Sequence, residues 1–536
     1  MKSKFLVAAL VMTVAMVGCT KRSNDIEVVL PGGEKLSLKS TETLRINLVS
    51  EPPSLDWHKS SDTTSSLITQ NIMEGLVNYN LADRELGLTP GLATKWESSD
   101  QAKKWKFTLR ADAKWSDGQP FTAQHVVDGW KRLLAKETAS EYAYFLFAIK
   151  NAKSYNEGKV PWDQVGVKIS GPNELSVELD KSMGYFPSLM THHSTYPVRA
   201  DVVAKHGDKW TEPANIVTLG AFNLKSWQHD KMLVMERNDG YFGDKAKVKY
   251  VAGYMIPEQS TAINLFDSDK LDSVHRLPSI ELRKLKERPE HKQENMLVMY
   301  YYGINTHRAP MDKPLVRKAI AAAIDRQEIV QMLAGGEVPL SSWIPPGVLA
   351  YEANIGSTFN PEKARDLLKQ AGFADVAKFP TIEIKFNTNE NHQRVAENIQ
   401  AQLKKNLGIN VELKNEEWKV YLNTLKTDPP HLFRFGWLAD YPDPDNFMTV
   451  MASFSDNNHT NWKSTKFDDL IMKAAGAIER ETRKAIYAEA QKLMTEDDVP
   501  VIPLYAGTNH LLVSKRVKNY PINIMERYEY KGVELQ

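Results

Sequence analysis

The sequence predicts an α/β protein assembled from several structural units, because helix and strand signals alternate along a chain too long for one core. Its 536 residues suggest roughly two to four such units. Apolar residues make up 42% and charged residues 25%, the balance of an ordinary globular chain. No long low-complexity stretch or short repeat interrupts the alternation. Clefts between units of this kind are where small ligands usually bind.

Individual elements follow from local pattern. Leu44, Ile46 and Leu48 alternate with Arg45 and Asn47, which predicts a strand with one buried and one wet face. A second alternating strand runs through Trp105, Phe107 and Leu109 to a turn at Asp117-Gly118. A helix follows from about Thr122 with Val126, Trp130 and Leu133 turned inward. Asn360, Pro361 and Gly372 read as N-cap, first-turn proline and C-terminal glycine of one helix. Another helix over 395–406 meets Gly408 and passes into an alternating strand over 409–413. A last helix covers 480–494, with Ile486, Ala490 and Leu493 on one face.

The N-terminus carries its own signal. Lys2 and Lys4 precede an uncharged apolar run over 5–17, too short for a stable membrane span and typical of a secretory leader. Its end, Met16-Val17-Gly18-Cys19, resembles a bacterial lipobox. That predicts removal of residues 1–18 and a diacylglycerol on Cys19, with the protein anchored in the periplasm or on the outer cell surface. Thr20 leaves the choice of membrane open. Residues 19–42, polar around Pro31-Gly32-Gly33, suit a tether. Cys19 is the only cysteine, so no internal disulfide can form. The full chain holds 68 basic and 67 acidic residues, and losing Lys2 and Lys4 leaves 66 basic. A near-neutral chain argues against a nucleic-acid partner.

No catalytic signature is present: neither a G-x-S-x-G elbow, an H-E-x-x-H pair, a Walker loop nor a G-x-G-x-x-G turn. His192-His193 could touch a metal, but no cysteine or third histidine lies nearby to complete a shell. Neither a cofactor nor a metal is therefore expected. The segment Gly436-Trp437-Leu438-Ala439-Asp440-Tyr441-Pro442-Asp443-Pro444 is more informative. A carboxylate among aromatic rings and prolines is poorly hydrated and seeks a cation. Asp440 could meet a ligand ammonium, pair with an internal arginine or lysine, or cap a turn. The residues alone leave these open.

A longer pattern narrows the choice. Leu92-Ala93-Thr94-Lys95-Trp96-Glu97 and then Phe107-Thr108-Leu109-Arg110 through Ala113-Lys114-Trp115-Ser116-Asp117-Gly118 resemble the signature of peptide- and nickel-type bacterial extracellular solute-binding proteins. The likeness continues through Gly207-Asp208-Lys209-Trp210-Thr211, Lys404-Lys405-Asn406-Leu407-Gly408 and Glu416-Glu417-Trp418, and looks nearest to the oligopeptide-binding members. It implies a two-lobed periplasmic-binding-protein-like fold of type II, in the large three-domain variant. A discontinuous first lobe would combine 43–73, 201–297 and 506–536. An accessory domain would span 74–200, and the second lobe 298–505.

The resemblance further implies a monomeric, non-catalytic receptor that closes over an extended oligopeptide and delivers it to ABC permease subunits. Asp440 would hold the peptide α-amino group, with Trp437 and Trp418 as pocket walls. Arg434 and His392 fall where relatives meet the peptide C-terminus. Tyr302, in the run Tyr300-Tyr301-Tyr302, is either a pocket wall or core strand. Leu425 and Ala321 stand where such relatives carry basic residues, and Gly303 where some carry an acid. Val298 and Leu438 replace a cysteine pair. Rival ligands within the class are murein peptides, dipeptides, oligosaccharides and chelated nickel. A peptide-sensing or adhesive lipoprotein is the rival outside it.

Overall fold

A computed structural model describes residues 25–477 and 479–536, so the leader and Cys19 lie outside the described residues. Its largest element is an eleven-stranded mixed sheet. The strands run in the order Phe222–Gln228, Met232–Arg237, Tyr250–Tyr254, Thr43–Asn47, Ser273–His275, Val501–Val513, His291–Ile304, Leu432–Leu438, Ile382–Asn387 and Val411–Glu416, with Val338–Pro339 on the side of Val501–Val513. A separate four-stranded antiparallel sheet contains Ala93–Ser99, Lys104–Leu109, Glu174–Glu178 and Val167–Gly171.

Two strands hold the large sheet together. His291–Ile304 and Val501–Val513 are 14 and 13 residues long and pair antiparallel over most of their length. Their register breaks between Asn295 and Met299. Before the break the pair lies beside Ser273–His275, and after it beside Leu432–Leu438. Gly507 faces this break, where a Cβ would sit 2.8 Å from a Val298 methyl, so only glycine allows the approach. Val298 is the direct cross-strand partner of Leu438. Two large apolar cores pack on the sheet: one around Trp57, Trp130 and Trp343 reaches both sides of the break, from Leu44 and Ile46 to Tyr301 and Phe435, and another lies around Ile304, Ile384 and Leu403.

Local chemistry formed most predicted elements. Helix Ala123–Leu134 buries Val126, Trp130 and Leu133. Helix Pro361–Gln370 takes its N-cap from Asn360, whose side chain accepts from Lys363 N. Helix Glu390–Leu407 starts earlier than its apolar stripe, because Asn389 caps it, and it ends on left-handed Gly408. The following strand is Val411–Glu416, two residues beyond the expected start. Helix Arg480–Lys492 runs into a wider π-turn at Leu493–Asp498.

Two expectations are corrected. Thr43–Asn47 has no wet face: all five residues are buried. Parallel neighbours flank it on both sides, and such central strands are covered on both faces. Arg45 tolerates this because its Nη2 lies 2.8 Å from Asp272 Oδ1 and its Nε 3.0 Å from Oδ2. The proposed tether is also partly folded. Ile26–Val29 and Lys35–Leu38 form a hairpin around Pro31-Gly32-Gly33, seating Val28 and Leu38 on Met232, Val234 and Ala252. Burying Val28 and Leu38 contributes about 1.5–3 kcal/mol for each side chain, which offsets part of the conformational entropy lost on ordering the segment.

Candidate ligand-binding site

A cavity of about 450 Å³ opens where the broken register, the end of strand Leu432–Leu438 and the start of helix Thr63–Ile72 converge. Asp440 lies on its wall, just past that strand. Asn446 Nδ2 donates to Asp440 Oδ2 at 2.9 Å, and His192 Nε2 approaches Oδ1 at 3.2 Å. The Tyr142 hydroxyl donates from 3.4 Å.

Each of these donors is neutral. Ser194 N–H donates to His192 Nδ1, so the ring proton sits on Nε2 and points at Asp440. Burial holds the His192 pKa below the ordinary histidine range, although Asp440 pulls it upward. Burial, reinforced by Asp440, keeps Tyr142 protonated. Asn446 is oriented by two donors to its Oδ1, Trp437 Nε1 at 3.0 Å and Asp440 N at 3.0 Å, which turns its amide hydrogens toward the carboxylate. Among the described residues, no lysine or arginine pairs with Asp440.

The same turn holds its contrast. Asp443 caps helix Pro444–Thr449 through Asp445 N and takes a bidentate bond from Arg483 at 2.7 and 2.6 Å. Capping and internal pairing, both open for Asp440 in the sequence, are carried by Asp443.

At another wall, the Arg434 guanidinium lies 4.5 Å from the centre of the Tyr300 ring and donates to Asn387 Oδ1 at 3.2 Å. Its Nε is buried without a partner, and no carboxylate pairs with it among the described residues. His392 Nδ1 lies 3.2 Å from the Tyr300 hydroxyl. Burial, helped by Arg434 and Arg276, holds its pKa well below the ordinary value, so the ring is neutral. Trp418 joins the lining with its Nε1 3.4 Å from Asp62 Oδ1. Trp437 lines it too, half as wall and half as the support of Asn446.

Tyr302 is a correction: it does not line the cavity and is fully buried among Ile304, Ile320 and Ile384. Tyr300 shares its strand face and reaches the cavity, while Tyr302 lies one step deeper in the core. Leu425 and Ala321 are core residues. Gly303 has no room for an acid, because a Cβ there would collide with the Phe433 ring. His192 bonds to Asp440, and His193 Nε2 to the Ser60 carbonyl. Tyr142, Asn446 and Asp62 carried no sequence signal, since only folding brings them to this wall.

The family pattern of bacterial extracellular solute-binding proteins, family 5 (middle), matches residues 87–459. The periplasmic oligopeptide-binding protein OppA of Salmonella typhimurium is 36% identical over 530 residues, covering 96% of this chain and 95% of that one. Haemophilus influenzae OppA in complex with RPPGFSPFR superposes with a TM-score of 0.87 at 30% identity, over 92% of this chain and 99% of the other. The murein tripeptide-binding protein MppA in its unliganded open form gives only 0.62 at 31% identity, with 92% and 97% covered. This chain therefore superposes more closely on that peptide complex than on that unliganded open form. A match over most of the sequence, on the expected two-lobed fold, places the chain in the family: it is a bacterial extracellular solute-binding protein of family 5.

Proposed function

We propose that this chain is the lipid-anchored receptor of an ABC-type peptide importer, binding oligopeptides in extended form between two lobes and catalysing nothing. One observation carries the reading: Asp440 faces the cavity with neutral donors alone among the described residues, so its charge would gain a cation when a ligand brings one. A free α-amino group supplies that cation. Arg434, part of the same cavity and without a carboxylate partner among the described residues, suits the carboxylate end, with His392 beside it as a neutral hydrogen-bonding group. Trp437 and Trp418 then wall the side-chain pockets.

The relatives named oligopeptide-binding support peptide as the ligand class. The register break at 295–299 supports lobe boundaries near 297 and 505, and the separate four-stranded sheet supports an accessory domain over 74–200. Closure about the two long strands would bury the peptide, leaving backbone bonding to give affinity for many sequences. Cys19 would supply the membrane anchor, a monomer being sufficient for delivery to the permease.

The test is thermal stability of protein lacking the leader and Cys19. Free-amine peptides of about three to five residues should raise stability, by about 2.7 kcal/mol at a hundredfold excess over Kd. Equal stabilisation by the N-acetylated peptides would refute the amine anchor.

A further inference from the structure

Two segments that meet on the rim of the cavity share no apolar core. Helix Glu390–Leu407 follows strand Ile382–Asn387, beyond the register break, and its buried face sits in the core around Ile384 and Leu403. Residues 259–285 lie on the other side of the break, around strand Ser273–His275. They pack in a smaller core of their own, with Ala262, Phe266, Val274 and Leu282. The join between the two segments is polar.

Asn391, in the first turn of the helix, accepts from Ser279 N with its Oδ1 at 2.8 Å and donates from Nδ2 to the Leu277 carbonyl at 3.1 Å. One partner can only donate and the other only accept, so a single amide orientation satisfies both. Beside it, Glu390 Oε1 accepts from Ser260 N and Ser260 Oγ at 3.3 Å each, and Arg394 Nη1 donates to Ser279 Oγ. Glu390, Asn391, Arg394, Ser260 and Ser279 are all half-buried, and Ile280 is 73% exposed, so water reaches the edge of the join. Bonds of this kind exchange for bonds to water when the segments part, whereas a shared apolar core would resist separation. The join also borders the cavity, which Gln259, Leu277, Ser279, Asn391 and His392 line.

We infer that Asn391 is a positioning residue for ligand retention, its side chain latching the two lobes in the closed form, which rests on the peptide-receptor reading and the lobe boundaries above. A peptide held between the lobes leaves only after they part, so the latch acts on departure rather than on entry. Its bonds join groups of the protein alone, and its effect is therefore the same for every peptide. Two net hydrogen bonds together amount to about tenfold in an equilibrium.

The test compares the leader-free protein with its Asn391→Ala variant, using tri-, tetra- and penta-alanine as ligands. Titration calorimetry gives the affinities, and stopped-flow fluorescence of Trp418 and Trp437 on the cavity wall gives the rates. Alanine is the better helix former, so the variant should keep its fold and melting temperature. The expected result is an off-rate raised about tenfold for all these peptides, with the on-rate within about threefold. Asn391→Asp sets a carboxylate against the Leu277 carbonyl and should speed departure at least as much, which also serves if Asn391→Ala is unstable. Off-rates within about twofold of the unaltered protein in both variants overturn the inference while the receptor reading stands. An effect on the on-rate instead, or one differing more than about threefold between peptides, overturns it too, because Asn391 would then be touching the ligand. Failure of the unaltered protein to bind any of these peptides overturns both.

Discussion

Asp272 and Asp440 are both carboxylates withdrawn from water, one inside the large sheet and one on the cavity wall, and the protein treats them in opposite ways. Asp272 receives two guanidiniums: Arg45, and Arg516 at 2.7 Å to each oxygen. Burial pushes its pKa up, but the bonds from Arg516 and Arg45 outweigh that and hold it below the ordinary range. Asp440 receives an amide, an imidazole and a phenol, which solvate the charge without cancelling it. A charge with its own counter-ion is settled inside the fold, and removing that partner is costly. A charge given only dipoles is kept ready for something from outside.

The contrast can be broken experimentally, and the largest effect is expected at Asp272. Arg45→Met strips part of its pairing and should cost about 3 kcal/mol in denaturant unfolding, with peptide affinity unchanged once the variant is folded. Asp440→Asn should do the reverse, lowering peptide affinity by about two orders of magnitude in calorimetry while the unfolding midpoint stays put. A stability loss in Asp440→Asn matching that of Arg45→Met would erase the distinction.

Acid provides a third and smaller test. Burial lowers His58 to about 3 and His275 and His459 to about 4, against 6.5 when exposed. Their neutral folded forms contribute stability fully above about 6.5, and it is lost as pH falls from there toward 4, because the unfolded chain takes protons that the folded one refuses. The melting temperature should therefore drop between about pH 7 and pH 5, where Asp272 remains ionised. A flat profile would show that these rings are protonated in the fold. The smallest effect is expected from Trp437→Phe, which removes the indole N–H that orients Asn446 and should weaken peptide binding by about 1 kcal/mol.

Features decided within a few residues were legible in the sequence. Asn360 and Gly408 act as caps because their partners lie one helical turn away. The two-lobed fold was legible through resemblance, as were the cavity positions of Asp440, Trp437, Trp418, Arg434 and His392. What escaped depended on distance or depth. Arg45 looked solvent-facing because its partner lies 227 positions away. Tyr142 meets Asp440 across 298 positions, so neither residue announces the other. Tyr300 and Tyr302 share a strand face, and alternation cannot tell which of the two ends in a cavity. The polar segment before Thr43 read as a tether because only four of its residues are large aliphatics in strand alternation, and their packing surface comes from 232–252.

The two long strands that cross the register break belong to both halves of the sheet at once. Backbone therefore passes between the halves twice in continuous β-structure, and neither half owns a complete set of strands. Any movement of one half against the other would have to twist these two strands, and the place for that twist lies where the register shifts and Gly507 meets Val298.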